Sequence, residues 1–545
     1  MKKTFKFLAA AALLVSLVIY YYVTIPAINI HSVGFWQCLL FAIAVLNVIY
    51  ALFRSRQYAK LHGRQARVKE LLGSSKLIKA GIGLFLILFA VFLAGSVLSS
   101  PIVNASKYQK LLTVENSDFS KDIKEVSYQT IPLLDKNSAE LLGNRKMGSM
   151  VDMVSQFEVS SEYTQINYQD TPVRVAPLVY ASPVKWLTNQ SKGIPAYIRI
   201  DMATQNTECV KLKEGIRYSK SEYFNRNIYR HLRFRYPTYI FDDQIFFEID
   251  DNGTPFWVCP VKEFTIGLFG GQTVGKAVLC NAITGECEEY EVEDVPNWVD
   301  KVFSAELLMR LYNYHGTLKH GFFNSVLGQK DCLQTTNGYN YIALDDDVWV
   351  YTGVTSVSGD QSNVGFVLIN QRTMETKFYT IEGAIEDSAM SSAEGQVQNL
   401  GYRATFPLLL NISGEPTYFM ALKDGAGLVK KYAMVNVQKY QWVAIGDTVG
   451  ECEKAYVKLL STNGITKGTQ DGLYEKAKGK IASLAPVVIE GSTHYYICLE
   501  NSDEIFDVNL SDSSLVEIVK YAVGDMVSFE YETASNGLCA VISLQ

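Results

Sequence analysis

The 545 residues predict an α+β protein carried on membrane helices. Three observations lead there: long charge-free apolar stretches confined to the first hundred residues, short β-branched and aromatic runs through most of the remainder, and a few helical segments set between those runs. At roughly 150 residues per domain, this length implies three or four folding units beyond any single core.

The first hundred residues hold 11 Lys and Arg against one acid, Glu70, while the whole chain nets −6, so the body beyond them is strongly acidic. No charged side chain occurs between Lys6 and Arg54, nor between Lys79 and Lys107. A spanning helix needs about 20 apolar residues. The first stretch therefore accommodates two crossings, near 7–28 and 34–53, and the second stretch one, near 80–100. The connection 54–79 carries eight Lys and Arg, whereas the turn at Asn29 and His31 carries none. The positive-inside bias assigns that basic loop, with Lys2, Lys3 and Lys6, to the cytoplasm. Three transmembrane helices would then place residues 101–545 on the extracytoplasmic face, with 1–106 as the anchor. A cleavable signal peptide fits less well, because Ala9–Ala12 lie inside the apolar run and Tyr20–Tyr22 before Pro26 make a poor cleavage site. With no ionisable pair inside them, the spans read as anchors in lipid rather than a conduction path.

In the body, strand-like runs recur at 165–168, 173–175, 197–200, 244–249, 256–261, 349–352, 366–369, 417–422 and 432–435. Asp251-Asn252-Gly253 between two of them predicts a hairpin turn. Helices are expected at 138–145, 296–312, 388–400 and 449–460, with Pro296 opening the second because its missing N–H costs nothing in a first turn. A turn pattern repeats: Asp201-Met-Ala-Thr204, Asn281-Ala-Ile-Thr284, Asn370-Gln-Arg-Thr373 and, more loosely, Asn436-Val-Gln-Lys439 each follow an apolar strand. A short polar side chain at the first position can hydrogen-bond its own backbone two residues on. Pro-opened strands with a following aromatic also recur, at Ile194-Pro-Ala-Tyr197, Thr254-Pro-Phe-Trp257 and Glu415-Pro-Thr-Tyr418. These signals divide the body into a stalk and first α+β module (107–235), modules at 236–312, 313–387 and 388–462, and a C-terminal unit at 463–545. The last reads as a small β-barrel of OB or SH3 type.

A helix, a Pro-opened strand with an aromatic, a strand ending in Asx-x-x-Thr-Gly-Glu and a final strand together resemble the PepSY-type module of bacterial cell-envelope proteins, most clearly at 236–290 and 388–443. Four segments, Lys146-Met-Gly-Ser-Met-Val-Asp-Met-Val-Ser-Gln156, Tyr223-Phe-Asn-Arg-Asn-Ile-Tyr-Arg-His231, Gly338-Tyr-Asn-Tyr-Ile342 and Gly401-Tyr-Arg-Ala-Thr-Phe-Pro407, extend the likeness. They resemble an uncharacterised group of membrane-anchored envelope proteins of Gram-positive gut bacteria. The resemblance implies roles in peptidase inhibition, chaperoning or envelope regulation and carries no catalytic motif.

Local motifs for chemistry are weak. Gly270-Gly-Gln-Thr-Val-Gly275-Lys276-Ala277 lacks the hydroxyl a phosphate loop needs after its Lys, and reads as part of a hairpin. Asp345, Asp346, Asp347 and Asp360 lack EF-hand spacing. The basic aromatic cluster Arg226, Tyr229, Arg230, His231, Arg233 and Arg235 is a candidate partner-binding patch in an otherwise acidic body. Eight cysteines follow the spans, and Cys280 and Cys287, flanking the Asn281–Glu286 turn, are the best candidate disulfide. The expectation is a non-enzymatic, membrane-anchored extracytoplasmic binding or assembly protein that engages a protein or wall partner. It would use no cofactor, no metal and no catalytic residue, and no nucleic acid, given the acidic body. The alternative is an envelope peptidase regulator or hydrolase whose site is assembled from distant segments.

Overall fold

The computed structural model describes residues 15–62, 75–125, 131, 134–344, 346–357, 362–465, 475–489, 492–502, 504–510, 513–533 and 538–544. It is a mixed α+β molecule with apolar helices at its N-terminus and antiparallel sheets through the body.

Two helices, Val33–His62 and Lys76–Leu98, are long and apolar enough to cross a membrane. They fall on the second and third of the three expected spans; of the first, the described helix is the ten-residue apolar Val15–Thr24, and residues 1–14 lie outside the described residues. The first long helix runs past residue 53 through Arg54, Arg56 and Lys60, since nothing in that stretch breaks a helix. The middle of the basic loop, 63–74, lies outside the described residues.

The repeated turn pattern marks a structural repeat. Four sheets each contain an antiparallel meander: 164–168 to 207–216, 246–249 to 287–291, 340–344 to 376–379, and 408–412 to 443–446. In every copy the third strand ends at the Asx residue. Asp201 Oδ1 accepts from the amides of Ala203 and Thr204, Asn281 from Ile283 and Thr284, Asn370 from Arg372 and Thr373, and Asn436 from Gln438 and Lys439. A helix precedes each sheet, at Lys136–Gly148, Ile228–Arg235, Ala305–Thr317 and Glu386–Gln396. The hairpin at 251–253 forms as its residues require, with Gly253 at φ +77°.

The expected helix at 296–312 begins instead at Ala305, capped by Ser304 Oγ on the Leu307 amide. The amides that would have opened it are taken by distant acceptors: Glu248 binds those of Asp300 and Lys301, and the Gln371 carbonyl binds those of Val302 and Phe303. Nor do the residues leaving the anchor form a free stalk to the first module. Glu115–Ser117 adds a parallel strand to the third sheet beside Thr376–Tyr379, and Phe119, Ile123 and Ile131 enter the core beneath the fourth.

The four sheets stack rather than hang in tandem. In the second, Trp257, Cys259 and Cys280 pack with the first sheet, while Val258, Ala277 and Leu279 on the opposite face pack with the third. In the third, Val350 and Val367 face the second sheet, and Tyr351 and Phe366 face the fourth. Burial of both faces explains why these strands read as near-continuous apolar runs without alternation. At the C-terminus five strands, from Glu475–Ile489 to Cys539–Leu544, pair around a closed ring in the order first, second, third, fifth, fourth, with third and fifth parallel.

The body rests on one end of the two long apolar helices. The hairpin tip Gly267-Leu268-Phe269 meets the end of the second long helix, where Ser99 Oγ accepts from the Leu268 and Phe269 amides at 2.8 and 3.1 Å. The turn before the first long helix joins it: the Ile28 amide donates to the Pro237 carbonyl, and His31 Nδ1 to that of Leu268. Phe269 stands edge-on to Trp36 and tilted against Phe92.

Candidate functional site

Where the first three modules meet the fourth there is a cleft of about 560 Å³. Large clefts with a few convergent polar groups and displaced pKa values are the default place to seek function. On the strand Phe246–Ile249, whose Phe246 and Phe247 line the cleft, the fully buried Glu248 carboxylate accepts the amides of Asp300 at 2.9 Å and Lys301 at 3.0 Å. That clamp holds the 296–304 segment so that the Lys301 side chain enters the cleft, with its ammonium 4.1 Å from the Tyr341 ring centroid. Arg174, on the strand Thr171–Tyr180, enters from the first module and is held by the Leu134 carbonyl and Gln165 Oε1.

The electrostatics follow from burial. Removal from water pushes Lys301 down to about 8, with the nearby Arg174 adding to the effect and Glu248 opposing it. Burial likewise pushes Glu248 up to about 8, against the pull of its two amides and Lys301. Asp300 is pushed well above the usual carboxylate range by burial and by Glu248, although its Oδ2 accepts the Asn167 amide. The Arg174 guanidinium is itself shifted down by desolvation.

Some of this polarity is unspent. Among the described residues no carboxylate comes within 4.0 Å of the Lys301 ammonium, and the Tyr163 hydroxyl and Gln371 Oε1, both lining the cleft, are buried without hydrogen-bond partners. Buried groups of this kind carry a desolvation cost that an incoming partner removes. The described lining carries Lys136, Arg174, Lys220 and Lys301 beside Asp135, Glu162, Asp243 and Glu306, an arrangement that suits recognition of a charged group.

The six residues of the basic aromatic cluster turn four ways. Arg230 lies over the Tyr22 ring at 5.1 Å and Arg233 Nε donates to the Ile25 carbonyl, so both face the anchor. His231 and Arg235 face the second sheet, donating to the carbonyls of Gly285 and Cys287. Arg226 donates to the Gln190 carbonyl, and Tyr229 lines the cleft. Cys280 and Cys287 are direct register partners across their hairpin, both as free thiols. Hydrogen bonds from Cys280 and from His231 hold the Cys287 thiol below its usual range, while the same contact and burial push Cys280 up. Gly270–Ala277 lies in the strand Gly270–Asn281, as the sequence implied. Asp347 is engaged by a bidentate Arg372 and by Asn370, Asp346 accepts from Asn167, and Asp345 and Asp360 lie outside the described residues.

Arg174, Glu248 and Lys301 escaped the sequence reading because they share no local spacing. The one available signal was Asp300-Lys301 inside the apolar run Val299–Phe303, which a helical reading places harmlessly on one face. No protein-family model matches the chain, and no curated protein matches it either.

Proposed function

We propose that the chain is a membrane-anchored extracytoplasmic binding protein of the cell envelope, and that its cleft receives a carboxylate-bearing segment of a protein or wall partner. The carrying observation is Lys301, an ammonium held in the cleft with no carboxylate in reach among the described residues, beside Arg174 and an unpartnered Tyr163 hydroxyl. A carboxylate there would meet two cations already positioned.

The proposed topology is three crossings with the basic loop in the cytoplasm. In its favour, the body packs against the turn at 25–32 and the end of the helix Lys76–Leu98, and so lies at the opposite end of the helices from that loop. The four sheet-and-helix repeats are proposed as PepSY-like modules, and the C-terminal ring, with its parallel third and fifth strands, as an OB-like barrel.

The test is a photo-crosslinking amino acid at Tyr339, on the cleft wall, in intact cells. Capture of one species that is lost on Lys301→Met supports the reading. Capture unaffected by that substitution, or none at all, refutes it. Protease added to whole cells should cleave the body; protection there, with cleavage in inverted vesicles, would refute the topology.

A further inference from the structure

We propose that His231, Cys280 and Cys287 form a binding site for a thiophilic divalent cation, zinc by its donor set. Their ligand atoms all lie within 4.8 Å of one another. A tetrahedral ion with bonds of about 2.3 Å to sulfur and 2.0 Å to nitrogen separates its ligands by roughly 3.3–3.8 Å, so small side-chain rotations close the site. Two sulfurs and one imidazole nitrogen select zinc over the oxygen-seeking cations.

Three separate elements deliver these donors. His231 projects from the helix Ile228–Arg235, Cys280 is the penultimate residue of the strand Gly270–Asn281, and Cys287 begins the strand Cys287–Glu291 directly opposite. The intervening turn is fixed by Asn281, whose side chain binds two of its amides, and by Gly285 at φ +77°, where a Cβ would lie 2.4 Å from the Tyr218 ring. Tyr218 in turn packs on the His231 imidazole, 4.5 Å between ring centroids. All three ligand atoms converge on one point, the Gly285 carbonyl: His231 Nε2 donates to it at 2.7 Å, Cys287 Sγ at 3.5 Å and Cys280 Sγ at 3.9 Å. A cation entering this space displaces the protons that now point at that oxygen. Three protein ligands leave a fourth position for water.

Both thiols are buried and His231 is half-buried, so the site opens only past the imidazole. Its position suggests the role. The same helix carries Arg230 and Arg233 against the anchor, so the ion ties the anchor-facing helix to the second sheet and stiffens the joint between membrane and body.

The test is a Co²⁺ titration of the full-length chain in detergent, reduced and stripped with chelator. One ion per chain should bind, giving thiolate-to-cobalt charge transfer and the intense visible bands of a tetrahedral site, and Zn²⁺ should abolish both. Cys287→Ser and His231→Ala should each weaken binding on the order of a hundredfold, and Cys209→Ser should leave it unchanged. Circular dichroism confirms that each variant is folded, and His231→Ala serves if the cysteine variant is not. No such bands with thiols verified as reduced would overturn the proposal. So would bands that persist in His231→Ala, or recovery of Cys280 and Cys287 as a disulfide from cells supplied with zinc.

Discussion

Replacing Lys301 with Met should stabilise the protein while abolishing capture in the cleft. Burial lowers this lysine from 10.5 to about 8, so at neutral pH its charged form is disfavoured in the fold by ~3 kcal/mol relative to the unfolded chain. The ring contact with Tyr341 offsets part of this, about 1–2 kcal/mol for a desolvated cation over an aromatic face. Met fills similar volume without charge, so the variant should be more stable than wild type by ~1–2 kcal/mol at pH 7. The sign reverses with pH in a defined way. A lysine whose folded pKa lies below its unfolded value binds fewer protons when folded, so stability rises as pH climbs from about 8 toward 10.5. Between pH 7 and 9.5 the wild type should therefore gain ~2 kcal/mol on the variant. Denaturant unfolding of both proteins in detergent, followed by tryptophan fluorescence, measures that difference. A variant less stable than wild type at pH 7, or a gap that does not change with pH, would refute the reasoning and make Lys301 a structural partner of Glu248.

Glu248 has the opposite linkage. Its folded pKa is raised to about 8, so its contribution is greatest at acidic pH and is lost as pH rises from about 4.5 through 8. Glu248→Gln should flatten that decline and cost about 1 kcal/mol, because one of its two amide partners loses its acceptor; an unchanged pH profile would contradict this. Ser99→Ala should speed hydrogen exchange at the Leu268 and Phe269 amides by about fivefold, the equivalent of about 1 kcal/mol of lost hydrogen bonding, and equal exchange rates would show that Ser99 does not dock the body on the apolar helices. Asn370→Ala removes two turn bonds and a buried bond to Asp347, and should lower stability by about 2–3 kcal/mol in the same denaturant assay; a loss under 1 kcal/mol would mean the turn forms without its Asx cap.

The apolar helices, the 251–253 hairpin and the four Asx turns were legible because each is set by residues adjacent in the chain. Charge depletion over some twenty positions demands lipid or burial, and an Asx side chain can reach only its own backbone. How the repeats combine was not legible. Alternate residues of the second and third sheets enter different cores, so the same apolar run is compatible with isolated modules or with the stack that forms. The misplaced helix start at Pro296 has the same origin, since its amides bind Glu248 and Gln371, remote in sequence.

Local sequence thus determined the elements, their turns and the division between long apolar helices and body. Tertiary structure alone decided that Arg174 and Lys301 share a cleft while Glu248 clamps the Lys301 segment, that the arginines of 226–235 point three ways, and that His231 meets Cys280 and Cys287. The reason is range. Backbone hydrogen bonding and hydrophobic periodicity act over a few residues, whereas desolvation and charge act through space, between groups that only the packing of the sheets brings together.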